Sequence, residues 1–248
     1  DVYTAALAPL LPEGDWQFFC SNSGAEANEN ALKLALAATG REGIVCFEGA
    51  FHGRTAATAA VTDPRTPGFP GAPFEVTRSA WGSLEGIDES TAACILEPIQ
   101  SLAGVVEPPA GFLEALRAKC DEVGALLIFD EVQTANGRLG VPFAAQHFGV
   151  LPDVITTAKG AASGFPFGLT LAQKAAAERA PSNLFGSTFG GGPLAMVAAT
   201  ETAKRLSEPG FFEGVSAASA AFQECAGVGP VKAVRGVGLL LGLELSDG

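Results

Sequence analysis

The chain has 248 residues, 48% of them hydrophobic, and a mean hydropathy of +0.28, which is too apolar for a disordered polypeptide and enough for one large core or two modest ones. Its formal charge of −12 excludes a broad footprint on DNA or RNA, whose affinity comes from neutralising phosphates with lysine and arginine. No apolar run approaches the roughly 18 residues that span a bilayer, and the N-terminal Asp-Val-Tyr-Thr lacks the basic start and apolar core of a signal peptide.

Short β-like runs alternate with helical patterns along the chain, which predicts an α/β fold with a mostly parallel sheet sandwiched by helices. A first strand is expected over residues 17–20. It is followed by a helix that starts after Ser23, carries Ala27, Ala31, Leu34, Ala35 and Ala38 on one face, and stops at Gly40. Strands are then expected at 44–47 and 93–96. A second helix, 110–123, follows Pro108 and Pro109 and ends at Gly124. Further strands are expected at 125–129, 154–157 and 167–171, and a third helix at 193–206, opening on Pro193. Residues 207–230 read as a small-residue connector. The run "VKAVRGVGLLLGLEL" after it reads as one strand opening a second domain that the sequence leaves incomplete. The expected division is therefore 1–228 and 229–248. The cysteines, at 20, 46, 94, 120 and 225, form no Cys-x-x-Cys pair and read as free buried thiols in a reducing, cytoplasmic compartment.

In a parallel α/β sheet, ligands bind beyond the carboxyl ends of the strands. Polar groups cluster there in this sequence: Ser21 to Glu26, Phe51 to Thr55, Glu97 to Gln100, Asp130 to Gln133, and Lys159. Ser23 and Glu26 have the spacing of a capping box. The same segment, with Gly24 for close approach, also fits an anion site at a helix start. The dipole contributes only about 0.3–2 kcal/mol, so further donors are needed, and Ser187 and Thr188 in "GSTFGGG" can supply them unless that loop is merely a hinge. Asp130 in "ALLIFDEV" is either a cap for the next segment or a partner for a cationic ligand. No Gly-Lys dipeptide exists, so a phosphate-loop ATPase is rejected. Lys159 follows "VITTA" among small residues, a setting for a desolvated, nucleophilic amine. His52 and His147 are the only histidines. No ligand set for zinc forms around them, and a Gly-x-Ser-x-Gly hydrolase elbow is absent. Gly236, Gly238 and Gly242 imitate a dinucleotide fingerprint with the wrong spacing and read as structural.

The segments "SNSGAEANENALKLA", "FHGRT", "EPIQ", "FDEVQ", "AKG" and "GSTFGG", in that order over about residues 15–242, resemble the class III aminotransferases of fold type I, the ω-amino acid and acetylornithine type. The resemblance implies a pyridoxal 5'-phosphate enzyme that moves an amino group from an amino acid or ω-amino acid to a 2-oxo acid such as 2-oxoglutarate. A racemase, epimerase or aminomutase on the same scaffold, or a silent homologue, is the alternative. It further implies that Lys159 binds the cofactor covalently and shuttles a proton, while Asp130 pairs with the ring nitrogen. Gln133 would reach the ring oxygen, Val132 and Phe51 would cover the two ring faces, and Ser23, Gly24 and Ala25 would hold the phosphate. Thr188, beside Ser187, would reach the cofactor of a neighbouring subunit in a homodimer. Arg54 would receive a substrate carboxylate, with Ser187 and Glu97 nearby. Ornithine-type members place Gly-Glu where this chain has Ser101 and Leu102, which argues against free ornithine as donor. The resemblance also implies that a family N-terminal segment and most of a C-terminal small domain lie outside this sequence.

Overall fold

The computed structural model describes residues 2–64, 68–69 and 71–246. Its frame is a seven-stranded sheet of Trp16–Ser21 (β1), Gly43–Phe47 (β2), Glu75–Ser79 (β3), Thr91–Leu96 (β4), Leu126–Asp130 (β5), Val154–Thr157 (β6) and Gly168–Gln173 (β7). The spatial order is β1-β7-β6-β5-β4-β2-β3. Strands β3, β2, β4, β5 and β6 run parallel, and β7 lies antiparallel to both β6 and β1. The central strands are buried along their whole length. Both faces of the sheet are covered, so these strands carry no charged residue before Asp130 and show no alternation of apolar and exposed positions.

The helices are Val2–Leu7 (α1), Gly24–Thr39 (α2), Ala56–Ala60 (α3), Phe112–Val123 (α4), Ala144–Phe148 (α5), Lys174–Ala177 (α6), Pro193–Leu206 (α7) and Phe211–Gln223 (α8). Two cores result. One joins α1, α4 and α7 to one sheet face through Phe47, Leu96, Leu116, Phe129 and Leu171. The other packs Ala31, Leu32, Leu34 and Ala35 of α2 on Ile44, Ile95, Ile128 and Val154. Small residues on the inner face of α2 let its axis approach closely. A Cβ on Gly168 would collide with the Ser23 carbonyl, so β7 can lie under the start of α2 only with glycine there.

The expected elements are present with shifted ends, and four differences have physical reasons. Strand β3 was not expected because "EVTRS" is polar; it is an exposed edge strand, formed by pairing with β2. Helix α1 was missed because it is only six residues long, yet Tyr3 and Leu7 are buried, with Tyr3 edge-on to Phe18 and Phe167. Helix α8 occupies the expected connector; Gly214 and the run of Ser and Ala hide its period, and only Val215 is buried. The expected single strand after it is a hairpin of Val231–Val237 (β8) and Leu240–Leu245 (β9), folded back at Gly238. Gly238 has φ +57°, as a two-residue turn requires, and a Cβ there would press on the Arg138 carbonyl. All five cysteines are free, but Cys20 and Cys225 are only half-buried, because they sit near the molecular surface. Among the described residues no helix is long and apolar enough to cross a membrane.

Candidate active site

A cleft of about 560 Å³ opens beyond the carboxyl ends of β1, β4, β5 and β6, within the usual size range of small-molecule sites. Ser23, Gly24, Ala25, Phe51, Arg54, Glu97, Asp130, Val132, Gln133 and Lys159 all line it. Ser187 stands at its edge, 3.5 Å from the Asn22 side chain. Thr188 does not line the cleft and is exposed beside Phe189, itself 78% exposed.

At the start of α2 the capping and anion-site readings coexist. Ser23 Oγ accepts from the Glu26 amide at 3.2 Å, and Glu26 Oε2 accepts from the Asn22 amide at 2.6 Å. Among the described residues the Gly24 and Ala25 amides have no acceptor, so two first-turn donors remain open at the positive end of a 16-residue helix. A Cβ on Gly24 would come 2.9 Å from Val132 Cγ2. Glycine therefore lets the helix start press against Val132.

Asp130 ends β5 and is 3% exposed. Its Oδ2 accepts from Asn28 Nδ2 at 2.7 Å and faces His52 Nδ1 at 2.8 Å, and its Oδ1 accepts from the Val132 amide at 3.1 Å. A carboxylate has about four acceptor positions, so one on Oδ1 is left for a group in the cleft. Hydrogen bonds to a charged group are worth about 1.5–3 kcal/mol each. Three of them offset the several kcal/mol that burying a carboxylate costs. His52 is fully enclosed and its Nε2 has no partner.

Lys159 follows β6 in the left-handed region, with φ +44°, a conformation that costs a non-glycine residue about 1–3 kcal/mol and tends to occur where function requires it. Asn136 steadies the preceding turn by donating to Thr157 Oγ1 at 2.8 Å and to the Ala158 carbonyl at 3.3 Å. The side chain opens to the cleft. Partial burial holds its ammonium below the ordinary lysine range, while the Asp130 and Glu97 carboxylates oppose that shift. Glu97, 2% exposed, accepts from the Phe51 amide at 2.9 Å and from Ser101 Oγ at 2.8 Å; burial raises its pKa. Arg54 is exposed at the rim, its guanidinium carbon 5.2 Å from the Phe51 ring centroid, with no carboxylate partner among the described residues. Leu102 is 64% exposed on the loop after Glu97.

Three site residues escape sequence reasoning: Asn28, Thr156, and His52 as a partner of Asp130. The available signal for Asn28 was a polar residue beside Ala27 and Ala31 on the buried face of a helix.

Glu131 points away from the cleft, as alternation along a strand requires. It is fully buried and accepts from the Ala144 amide at 2.5 Å, the Ala145 amide at 3.0 Å and Thr134 Oγ1 at 3.1 Å. These bonds fix the loop that carries Val132 and Gln133. Burial pushes its pKa from 4.5 up to about 7. The folded state thus favours the protonated acid: this stabilisation is full below pH 4.5 and is lost as pH rises through about 7. The unfolding free energy of the native protein should fall by about 3 kcal/mol more than that of Glu131→Gln between pH 4.5 and 8, measured by denaturant titration. Parallel profiles for the two proteins would contradict this.

The family model for class-III aminotransferases matches residues 2–248. The chain is 39% identical to a [LysW]-aminoadipate semialdehyde/glutamate semialdehyde transaminase of Sulfurisphaera tokodaii, over 96% of this chain and 64% of that protein. It is 44% identical to an acetylornithine aminotransferase of Mycobacterium bovis, over 92% of this chain and 59% of that protein. It thus spans about three-fifths of the length of these curated relatives. Among solved structures, it superposes on an ornithine aminotransferase from Toxoplasma gondii described with partial occupancy of PLP at the active site. That match has a TM-score of 0.87 and 26% identity, covering 99% of this chain and 63% of that one. An (S)-enantioselective omega-transaminase from Thermomicrobium roseum matches with a TM-score of 0.87 and 29% identity, covering 98% of this chain and 64% of that one. With the cleft at the strand ends of a shared fold, and a match along nearly its whole length, the chain belongs to the class-III aminotransferase family.

Proposed function

We propose that the protein is a pyridoxal-phosphate-dependent aminotransferase that moves an amino group from an acetylornithine-like amino acid or ω-amino acid to a 2-oxo acid such as 2-oxoglutarate. The observation that carries the reading is the convergence of Lys159, Asp130 and the open Gly24 and Ala25 amides on one cleft. These residues fit the cofactor: the two amides suit a phosphate, and the remaining acceptor position of Asp130 suits a protonated ring nitrogen. When bound, the cofactor supplies an electron sink for charge developing on the substrate carbon.

The protein's residues do the rest. Asp130 would hold a positive charge on the cofactor through its remaining acceptor position. Lys159 would hold the cofactor through its amine, and the same Nζ would take the proton from the substrate carbon and deliver it to the cofactor side, as net amino transfer requires; its lowered pKa suits both taking and giving. Val132 and Phe51 would pack against the cofactor, Gln133 would offer it a hydrogen bond, and Ser23 holds Glu26 so that the helix start keeps its shape. Glu97 fixes Phe51 through its backbone. Arg54, with no acid partner among the described residues, takes a substrate carboxylate, with Ser187 at the edge. Thr188, exposed outside the cleft, serves the site of a second copy in a homodimer. The free cysteines support a cytoplasmic setting.

Without an acceptor, the holoenzyme should release one equivalent of oxo product per site from acetylornithine or 4-aminobutyrate. A racemase, epimerase or aminomutase would release none. Arg54→Ala should lower kcat/KM for carboxylate-bearing donors by about 1.5–3 kcal/mol, the scale of a charge-assisted hydrogen bond. The exposure of Arg54 keeps the loss below that of a fully buried pair. A simple monoamine should change less than about threefold, and ornithine should be a poor donor because Leu102 is apolar. Equal losses for the monoamine and the carboxylate-bearing donors would show that Arg54 does not read the carboxylate.

A further inference from the structure

We propose that Asn28 is a positioning residue of this site, a carboxamide joint that holds Asp130, the 51–55 loop and the strand leading to Lys159 in register with the start of α2, an inference that rests on the functional reading above. Both amide hydrogens of Asn28 are engaged, one by Asp130 Oδ2 at 2.7 Å and one by the His52 carbonyl at 2.9 Å. Its Oδ1 accepts from Thr156 Oγ1 at 2.6 Å. With the residue 1% exposed, no water is at hand to replace any of these partners. The amide has one workable orientation, because a flip would set its oxygen against the Asp130 carboxylate and a carbonyl, two groups that only accept.

Four segments that are remote in sequence meet at this one side chain. Gly24 and Ala25, whose amides are open, lie four and three positions before Asn28, on the same face of α2. Asp130 ends β5, and Thr156 lies in β6 three residues before Lys159. His52 belongs to the loop that carries Phe51 and Arg54. A ligand that rests one end on the helix start and the other on Asp130 requires a fixed span between them, and Asn28 sets that span. His52 cannot do this alone. It touches Asp130 but not α2 by side chain, and its Nε2 is unpartnered.

The test is a double-mutant cycle in the holoenzyme with Asn28→Ala, Asp130→Asn and both together. The readouts are kcat, KM for the amino donor, the pyridoxal phosphate dissociation constant and the absorption band of the bound cofactor. Asn28→Ala should lower kcat about tenfold to hundredfold, the scale of a displaced reacting group. KM should move less than about threefold, and the cofactor band should shift. On top of Asp130→Asn it should cost less than about twofold more, since it acts through that carboxylate. Asn28→Asp keeps the volume but puts an anion beside Asp130, and should be at least as damaging. This variant also guards against a folding defect in the alanine protein.

Additive losses, or Asn28→Asp equal to wild type, would overturn the assignment. The apoprotein offers a readout that needs no cofactor: backbone hydrogen exchange in 51–55 and 130–133 should rise in both Asn28 variants, and unchanged exchange would overturn the joint. If wild-type protein fails to bind pyridoxal phosphate, the functional reading falls, while exchange in the apoprotein still decides whether Asn28 is the joint.

Discussion

Lys159→Ala should reduce kcat by about four orders of magnitude, the upper range for losing a positioned proton-transfer group, while the protein remains folded. The side chain projects into the cleft rather than the core, and the residue's φ of +44° is no easier for lysine than for alanine. Truncation therefore removes the amine without opening a cavity, and thermal unfolding should move little. The surviving carboxylates, Asp130 and Glu97, are both acceptors that cannot take over as the covalent anchor. The same variant tests the proposed dimer. Lys159→Ala subunits mixed with Thr188→Ala subunits should regain part of the activity, because one hybrid site then has both residues intact. No recovery in verified hybrids would mean that each site is built from one chain.

The second large effect is expected for Asp130→Asn. The substitution is nearly isosteric, so packing is preserved, but the amide brings an NH2 group into an environment of three donors. At least one of Asn28 Nδ2, His52 Nδ1 and the Val132 amide then faces a donor instead of an acceptor, which costs about 1–3 kcal/mol of stability. The larger loss is chemical. Without the negative charge, the ring nitrogen in the proposed reaction has no counterion in a buried setting. Breaking a buried charge pair costs about 3–5 kcal/mol, or two to four orders of magnitude in kcat. A loss below about tenfold, with cofactor bound, would remove Asp130 from that role.

The parts of the site that could be read in the sequence are those that terminate strands. "LLIF" and "VITT" are uncharged, β-prone runs because β5 and β6 are buried on both faces, so the first charged residue after each marks the edge where the cleft forms. The start of α2 was legible for a similar reason, since Ser23 and Gly40 bracket a clean helical stripe. Asn28 was not. It sits in "EANEN" among residues of like polarity, and only its meeting with Asp130, 102 positions away, gives it meaning. Glu131 shows the same limit from another side. Asp130 ends β5 and Glu131 follows it, and successive side chains point opposite ways, Asp130 to the cleft and Glu131 into the interior. The hairpin of β8 and β9 was hidden because its turn holds only Gly238 and Leu239 inside an otherwise apolar run. The edge strand β3 was hidden because its stability comes from pairing with β2 rather than from burial.

Borohydride reduction of the holoenzyme, followed by tryptic digestion and mass analysis, tests the central role of Lys159 most directly. Reduction should fix the cofactor on Lys159 and block cleavage there, giving a modified peptide spanning 139–174. Cofactor recovered instead on Lys33, Lys174 or Lys204, with residues 139–159 released unmodified, would contradict it.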